Sequence, residues 1–139
     1  MKALVLSLLP VFVFANTYCI KDIENPSDDP YLEYALLKAV ERAIIETGNR
    51  LSCGEEYDPV RLIVTKFEQV PIAYTAEQRI NLYNLSISLR VVLGERSFTV
   101  RSTVPYSLPS GSSGDLPRRR AIDDLTDKIY SYILQNLRR

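Results

Sequence analysis

The sequence predicts a two-layer α+β sandwich, with two helices packed on one face of a four-stranded mixed sheet in the order β-α-β-β-β-α. Two segments each carry a single apolar stripe at helical spacing, and one strand alternates apolar with polar side chains. One-sided elements of both kinds bury their apolar sides against each other. The opening strand–helix–strand favours a right-handed parallel crossover, whereas the later strands follow one another through short turns and should be antiparallel.

The first 15 residues are predicted to be a signal peptide. The uncharged run "ALVLSLLPVFVFA" follows Lys2 and is shorter than the roughly 18 to 20 residues that span a bilayer. Val13 and Ala15 place small residues at the −3 and −1 positions of a signal-peptidase site. We therefore expect an exported chain that begins at Asn16, with one domain over residues 16–139.

The two cysteines, Cys19 and Cys53, leave more than one role open. In an exported chain they are able to form a disulfide, which would close a loop of about 35 residues and stabilise the fold by roughly 3 to 4 kcal/mol. Two free thiols are the alternative. Lipidation of Cys19 is disfavoured because Tyr18 is too large for the position before a lipidated cysteine. The alternation around Cys19 instead predicts a short strand.

The first helix has clear boundaries in the sequence. "NPSDDP" is a turn, Asp29 is placed to cap the helix, and Pro30 is tolerated in the first helical turn. Gly48 supplies the C-terminal stop. The predicted apolar stripe consists of Leu32, Ala35, Leu36, Ala39, Val40, Ala43 and Ile44.

The central part of the chain is rich in β-branched residues. Pro59 leads into "VRLIVTKFEQVPIAY", and the clearest strand is "YNLSISLRVVL". A turn at Gly94, Glu95 and Arg96 joins that strand to "SFTVRSTV" in an antiparallel hairpin, which Pro105 ends or places at a sheet edge. The wet face of the clear strand carries Asn84, Ser86, Ser88 and Arg90.

The last helix is predicted to follow the linker "SLPSGSSGDLP", with Asp115 as its cap. Its apolar stripe is expected to consist of Ile122, Leu125, Ile129, Tyr132, Ile133 and Leu137.

The charges are balanced overall, at 17 basic and 17 acidic residues, but they are unevenly placed. Residues 22–58 hold ten acids and three bases, whereas residues 60–120 hold nine bases and four acids. Arginine forks suit phosphate groups, although any one of these side chains also fits an ordinary solvated position. The predicted ligand-binding residues are Lys66, Arg79, Arg90, Arg101, Arg118, Arg119 and Arg120.

The run of three arginines lies in the first turn of the last helix, where the helix dipole disfavours cations. We expect acidic neighbours to offset it, namely Asp115, Asp123 and Asp124.

Catalysis is not expected. The chain has no histidine, so a serine or cysteine nucleophile lacks its commonest base and a zinc site lacks its usual nitrogen ligand. A glycine-rich phosphate loop is also absent from the sequence. We therefore expect a binding protein that needs no metal and no cofactor and has no nucleic-acid partner.

The chain resembles the lipopolysaccharide (LPS) assembly lipoprotein family LptE over residues 17–137. The resemblance rests on "IENPSDDPYLEYALLKAVERAI", on "GNRL" before a strand, on "KFEQVPIAYTAEQRINLYNLSISLRVVL", and on the hairpin and terminal helix that follow. It implies a two-helix, four-stranded domain that plugs and helps to assemble the β-barrel of an LptD-like LPS translocon, contacts LPS, and lies at the periplasmic face of the outer membrane.

Three tyrosines are candidates for a partner interface, because an aromatic ring with a polar tip suits a wet interface. They are Tyr74, Tyr83 and Tyr106. The alternative is that they cover the edge of the core. For the whole protein, the alternative function is that of a free periplasmic binding module of similar fold that recognises another envelope protein or polymer.

Overall fold

The computed structural model describes residues 16–27, 29–54, 56–74, 80–107 and 115–138. The signal peptide predicted over residues 1–15 lies outside this part. The described elements are β1 (Thr17–Glu24), α1 (Pro30–Glu46), β2 (Arg50–Leu51), β3 (Asp58–Tyr74), β4 (Ile80–Leu93), β5 (Arg96–Ser107) and α2 (Asp115–Leu137).

The predicted fold class is confirmed, with one strand more than expected. The strand order is β2-β1-β3-β4-β5, in which β1 pairs in parallel with β2 and β3 while the other pairs are antiparallel. The additional strand, β2, has two residues and pairs only with Thr17 and Tyr18. Periodicity cannot reveal so short a strand, because two residues do not define an alternation.

Helix α1 forms where the sequence places it. The Asp29 carboxylate accepts hydrogen bonds from the backbone N–H groups of Tyr31 and Leu32, and this satisfies two donors at the start of the helix. Gly48 adopts a positive φ of 83°, a conformation that costs glycine little, and the chain turns away there. All seven residues of the predicted stripe are buried.

Both helices pack on one face of the sheet, which we call the inner face, around a single core. The core joins the α1 stripe to alternate residues of β3, β4 and β5 and to the stripe of α2. The α2 stripe differs from the prediction at Tyr132. This residue is 44% exposed because it lies on the side of the helix that borders the open edge of β5, not on the side that faces the core. The buried α2 residues are Ala121, Ile122, Leu125, Thr126, Ile129 and Ile133.

The two helices run in the same direction and are tied together by polar side chains. Near their N-termini, Arg118 pairs with Asp29, and the Tyr31 hydroxyl donates to Asp123 over 2.6 Å. Near the other end, the hydroxyl of Tyr130 donates to Glu46. The negative charge that pairs with Arg118, the first arginine of the α2 run, therefore comes from the cap of α1, 89 residues away in sequence. Of the acids predicted for this role, Asp123 and Asp124 form no ion pair with the described arginines, and the side chain of Asp115 lies outside the described part.

Cys19 and Cys53 form a disulfide, with their Cα atoms 4.9 Å apart. It joins β1 to the segment that follows β2 and encloses the whole of α1 in a covalent loop. Of the roles that the sequence left open for these two cysteines, the structure contains the disulfide.

Candidate functional site: the outer face of the sheet

The face of the sheet opposite the helices, which we call the outer face, brings predicted ligand-binding residues together. Across three strands, Lys66 of β3 is paired with Ser88 of β4, and Ser88 is paired with Arg101 of β5. Neighbouring strands lie about 4.8 Å apart, so these three residues form one row about 10 Å wide. Arg90 lies in the next row, diagonal to Arg101 at about 7 to 8 Å, within reach of two long side chains.

Lys66 reaches this face because of an irregularity in β3. The register shifts between Val64 and Lys66, which leaves Thr65 without a cross-strand partner. The Thr65 hydroxyl donates to the backbone carbonyl of Ser88 over 3.2 Å. Without this bulge the strict alternation of a strand would turn Lys66 toward the helices and Phe67 outward. The sequence does not indicate this bulge, since "VTKFEQV" contains no glycine to mark it.

The outer-face cations are of two kinds, those that form an ion pair with an acid and those that do not. Arg61 is bound by Asp22 and Glu24, at 3.8 and 2.7 Å, and Lys66 by Glu68 at 3.4 Å. Arg90 and Arg101 are exposed and make no ion pair or side-chain hydrogen bond within the described part of the chain. Their charges are therefore available to an anionic ligand.

Hydroxyl groups surround these two arginines. The hydroxyls of Ser86 and Thr103 are hydrogen-bonded to each other over 3.0 Å in the row next to Ser88. Guanidinium groups bind phosphate through two parallel hydrogen bonds, and hydroxyls both donate to and accept from sugars. The outer face thus offers the groups that a phosphorylated sugar requires.

The other predicted cations lie elsewhere. The Arg118 guanidinium lies 5.7 Å from the ring centre of Phe67, which faces the helices, and Arg119 lies 5.2 Å from the ring of Tyr31. The arginine run of α2 is therefore separated by the sheet from Arg90 and Arg101. Arg120 is exposed, and Arg79 lies outside the described residues.

The tyrosines predicted at a partner interface lie toward the β3–β4 hairpin end. Tyr83 and Tyr106 stack with ring centres 5.4 Å apart, and the Tyr106 hydroxyl donates to Gln69. Tyr106 is only 9% exposed, and burial raises the pKa of its phenol. Both rings contribute to the edge of the core, and their contact with a partner stays a prediction. The side chain of Tyr74 lies outside the described part.

The described residues contain neither a metal-binding cluster nor a helix that could span a membrane. Among the described residues there is no group of three or more acidic or cysteine side chains arranged to hold a metal ion. Neither α1 nor α2 has the length and apolar composition that crossing a bilayer requires.

Solved structures share this fold. Rare lipoprotein B from Shewanella oneidensis superposes with a TM-score of 0.57 at 13% identity, covering 88% of this chain and 93% of that one. A minor lipoprotein from Acinetobacter baumannii gives a TM-score of 0.54 at 17% identity, again over 88% and 93% of the two chains. The chain thus has the fold of these bacterial lipoproteins.

The sequence comparison identifies the family. An uncharacterized protein of Aquifex aeolicus (strain VF5) is 38% identical over 135 residues, which cover 97% of this chain and 93% of the relative. The chain belongs to the family of that protein. No family model matches the sequence.

Proposed function

We propose that this protein is a non-catalytic component of an outer-membrane LPS transport complex, in which it occupies a β-barrel translocon of the LptD type and contacts LPS. The observation that carries the proposal is the outer face, where Arg90 and Arg101 lie together without acidic partners in the described structure. The fold that the chain shares with rare lipoprotein B supports an assignment to the LptE family.

The chemistry of the outer face matches a phosphorylated glycolipid. Each free guanidinium is able to bind a phosphate oxygen pair, and the diagonal spacing lets both reach one phosphate group. The hydroxyls of Ser86, Ser88 and Thr103 offer hydrogen bonds to the attached sugars. The face requires no acid–base residue for this role, which fits a protein that binds and positions its ligand.

The location that we propose is the periplasmic face of the outer membrane, where the protein is held through its barrel partner. The Cys19 sulfur is bonded to Cys53, and a sulfur in a disulfide cannot at the same time carry a lipid. Disulfides persist in the oxidising periplasm, which agrees with an exported chain.

The binding site is tested by replacing both free arginines, as Arg90→Ser with Arg101→Ser, and measuring LPS binding at several salt concentrations. We expect binding at least tenfold weaker than that of the unaltered protein and with a smaller dependence on salt, because two phosphate contacts are lost. The melting temperature should change little, since neither side chain has a described partner.

Two variants serve as matched controls. Arg61→Ser removes an outer-face arginine that is already paired with acids. Arg119→Ser with Arg120→Ser removes two arginines from α2. Both should retain most of the binding. Unchanged binding in the Arg90 and Arg101 variant rejects the outer-face site, and loss of binding only in the α2 variant transfers it to the helix.

The partner is tested by purifying a tagged copy from outer membranes under mild detergent. We expect a large outer-membrane β-barrel protein to be recovered in stoichiometric amount. Recovery of the tagged protein in the periplasmic fraction, free of any such barrel, contradicts the proposal and favours a free periplasmic module that recognises another envelope protein or polymer.

A further inference from the structure

Strand β5 presents a row of backbone groups that no other described strand pairs with. It is the last strand of the sheet and is 12 residues long. The two-residue turn at Gly94 and Glu95 makes Leu93 and Arg96 a hydrogen-bonded pair, and such pairs recur at every second residue of an antiparallel ladder. The backbone N–H and C=O groups of Ser97, Thr99, Arg101 and Thr103 therefore point away from β4.

Two side-chain observations agree with this assignment. Lys128 of α2 donates to the backbone carbonyl of Thr103 over 3.1 Å, which places that carbonyl on the open side. Pro105 occupies the next position of the same alternation, where its missing N–H breaks no bond to β4. No backbone group of another described residue pairs with Ser97, Thr99, Arg101 or Thr103 along the open edge.

A groove runs along this open edge. It has a volume of about 270 Å³ and lies between Thr99, Val100 and Arg101 of β5 and Tyr132 and Asn136 of α2. Tyr132 borders it with an exposed ring, which explains why this residue departs from the predicted core stripe. A strand added next to β5 would direct every second side chain into this groove, on the inner side of the sheet.

The positive charges near the edge favour an acidic partner. Arg101 of β5 and Arg90 of β4 lie diagonal to each other on the outer face, and Lys128 reaches the edge from α2. Arg96 of β5 lies on the inner side, where it donates to the backbone carbonyl of Asn136. None of these four cations is ion-paired with an acid in the described residues. Two β5 edges facing each other would bring like charges together, and this disfavours a second copy of the chain as the occupant.

We propose that β5 is a docking edge for an extended segment of another protein, which adds a strand to the sheet and places acidic side chains opposite Arg101 on the outer face and apolar side chains in the groove beside Tyr132. This contact uses the backbone of β5, and it goes beyond the proposed binding of LPS by the outer face. Main-chain hydrogen bonds would supply the affinity, and alternating charge and groove filling would supply the specificity.

The test uses a fluorescein-labelled heptapeptide of alternating glutamate and valine, with the folded full domain. We expect saturable binding by fluorescence anisotropy, together with slower hydrogen exchange at the amides of Thr99, Arg101 and Thr103. The matching peptide of alternating lysine and valine should bind at least tenfold more weakly. Equal binding of the two peptides, or binding without protection of these three amides, overturns the proposal.

Thr99→Pro tests the backbone contribution, because it removes one outward N–H and keeps the bonds that the neighbouring residues make to β4. We expect at least tenfold weaker binding of the acidic peptide. Thr99→Val is the matched control, since it keeps the N–H, and it should bind as the unaltered protein does. Full binding by Thr99→Pro overturns the proposal.

Hydrogen exchange at the amides of the unaltered protein gives a result that does not depend on how well either variant folds. Sedimentation of the free protein tests whether a second copy of the chain occupies the β5 edge instead. A dimer in which the amides of Thr99, Arg101 and Thr103 are already protected, without peptide, would overturn the assignment of this edge to an acidic partner.

Discussion

The core contains a buried serine, Ser102, among its apolar side chains. Ser102 of β5 faces the helices, is 6% exposed, and has no hydrogen-bond partner for its hydroxyl among the described residues. A buried hydroxyl without a partner costs about 1 to 3 kcal/mol. The alternating pattern of β5 predicts that position 102 faces inward, but it does not explain why serine occupies it.

We expect Ser102→Ala to stabilise the fold by about 1 kcal/mol, because it removes the unsatisfied hydroxyl and leaves a small apolar side chain. Urea denaturation measures the change. Ser97→Ala, at an exposed position of the same strand, should change the free energy of unfolding by less than about 0.5 kcal/mol. A destabilised Ser102→Ala protein would indicate that the hydroxyl has a partner in solution.

The phenol of Tyr106 links stability to alkaline pH. Burial raises its pKa above the ordinary value of 10.0. The folded state therefore holds the proton more tightly than the unfolded chain, so the contribution to stability is fully present below pH 10 and is lost as the pH rises through the pKa of the folded state.

Tyr106→Phe should lose less stability than the unaltered protein as the pH rises above the ordinary phenol pKa of 10.0, because it has no phenol to ionise at that position. Thermal denaturation across this pH range measures the difference. Tyr132→Phe, which removes an exposed phenol, is the control. If Tyr106→Phe and the unaltered protein decline in parallel, Tyr106 does not contribute to the alkaline transition.

At the scale of helices and strands, some features follow from the local sequence and others arise only when the elements pack together. The stripe and both ends of α1 were predicted from its own residues, because a cap, a glycine stop and a helical period are all local signals. The partner of Arg118 was not, since Asp29 approaches it only after the two helices have packed in parallel. The bulge at Thr65 likewise depends on the pairing of β3 with β4, and the position of Lys66 depends on the bulge.

The candidate site divides in the same way. The polar face of β4 was evident from its alternation, and Arg90 was placed correctly on it. The gathering of Lys66, Ser88 and Arg101 into one row requires the register of three strands, which the sequence of each strand does not specify. The separation of Arg118 and Arg119 from Arg90, by contrast, follows from the sequence, because the arginine run was predicted on the last helix and both helices on one face of the sheet.

The covalent loop around α1 is expected to contribute strongly to stability. Replacing both cysteines by alanine, as Cys19→Ala with Cys53→Ala, should lower the free energy of unfolding by roughly 3 to 4 kcal/mol, because the unfolded chain regains the freedom of a loop of about 35 residues. Urea denaturation of the variant and of the chemically reduced protein should agree. A loss below about 1 kcal/mol would show that the disulfide contributes little to holding β1 in the sheet.

At the scale of the whole molecule, the proposed export makes a prediction about mass. The mature protein purified from its native envelope should begin at Asn16, carry no acyl chains on Cys19, and be two hydrogens lighter than the reduced form. Intact-mass spectrometry before and after reduction measures all three. Acyl chains on Cys19 would contradict both the proposed mode of attachment and the disulfide.

The covalent ring formed by Cys19 and Cys53 also changes what happens when the molecule is pulled apart. While the bond is intact, the 34 residue steps between the two cysteines cannot extend when the chain is stretched. At about 3.5 Å per residue, the fully stretched chain is therefore shorter by roughly 120 Å. A proteolytic machine that threads its substrates would meet a closed ring, and its entrance would have to admit two strands of polypeptide side by side.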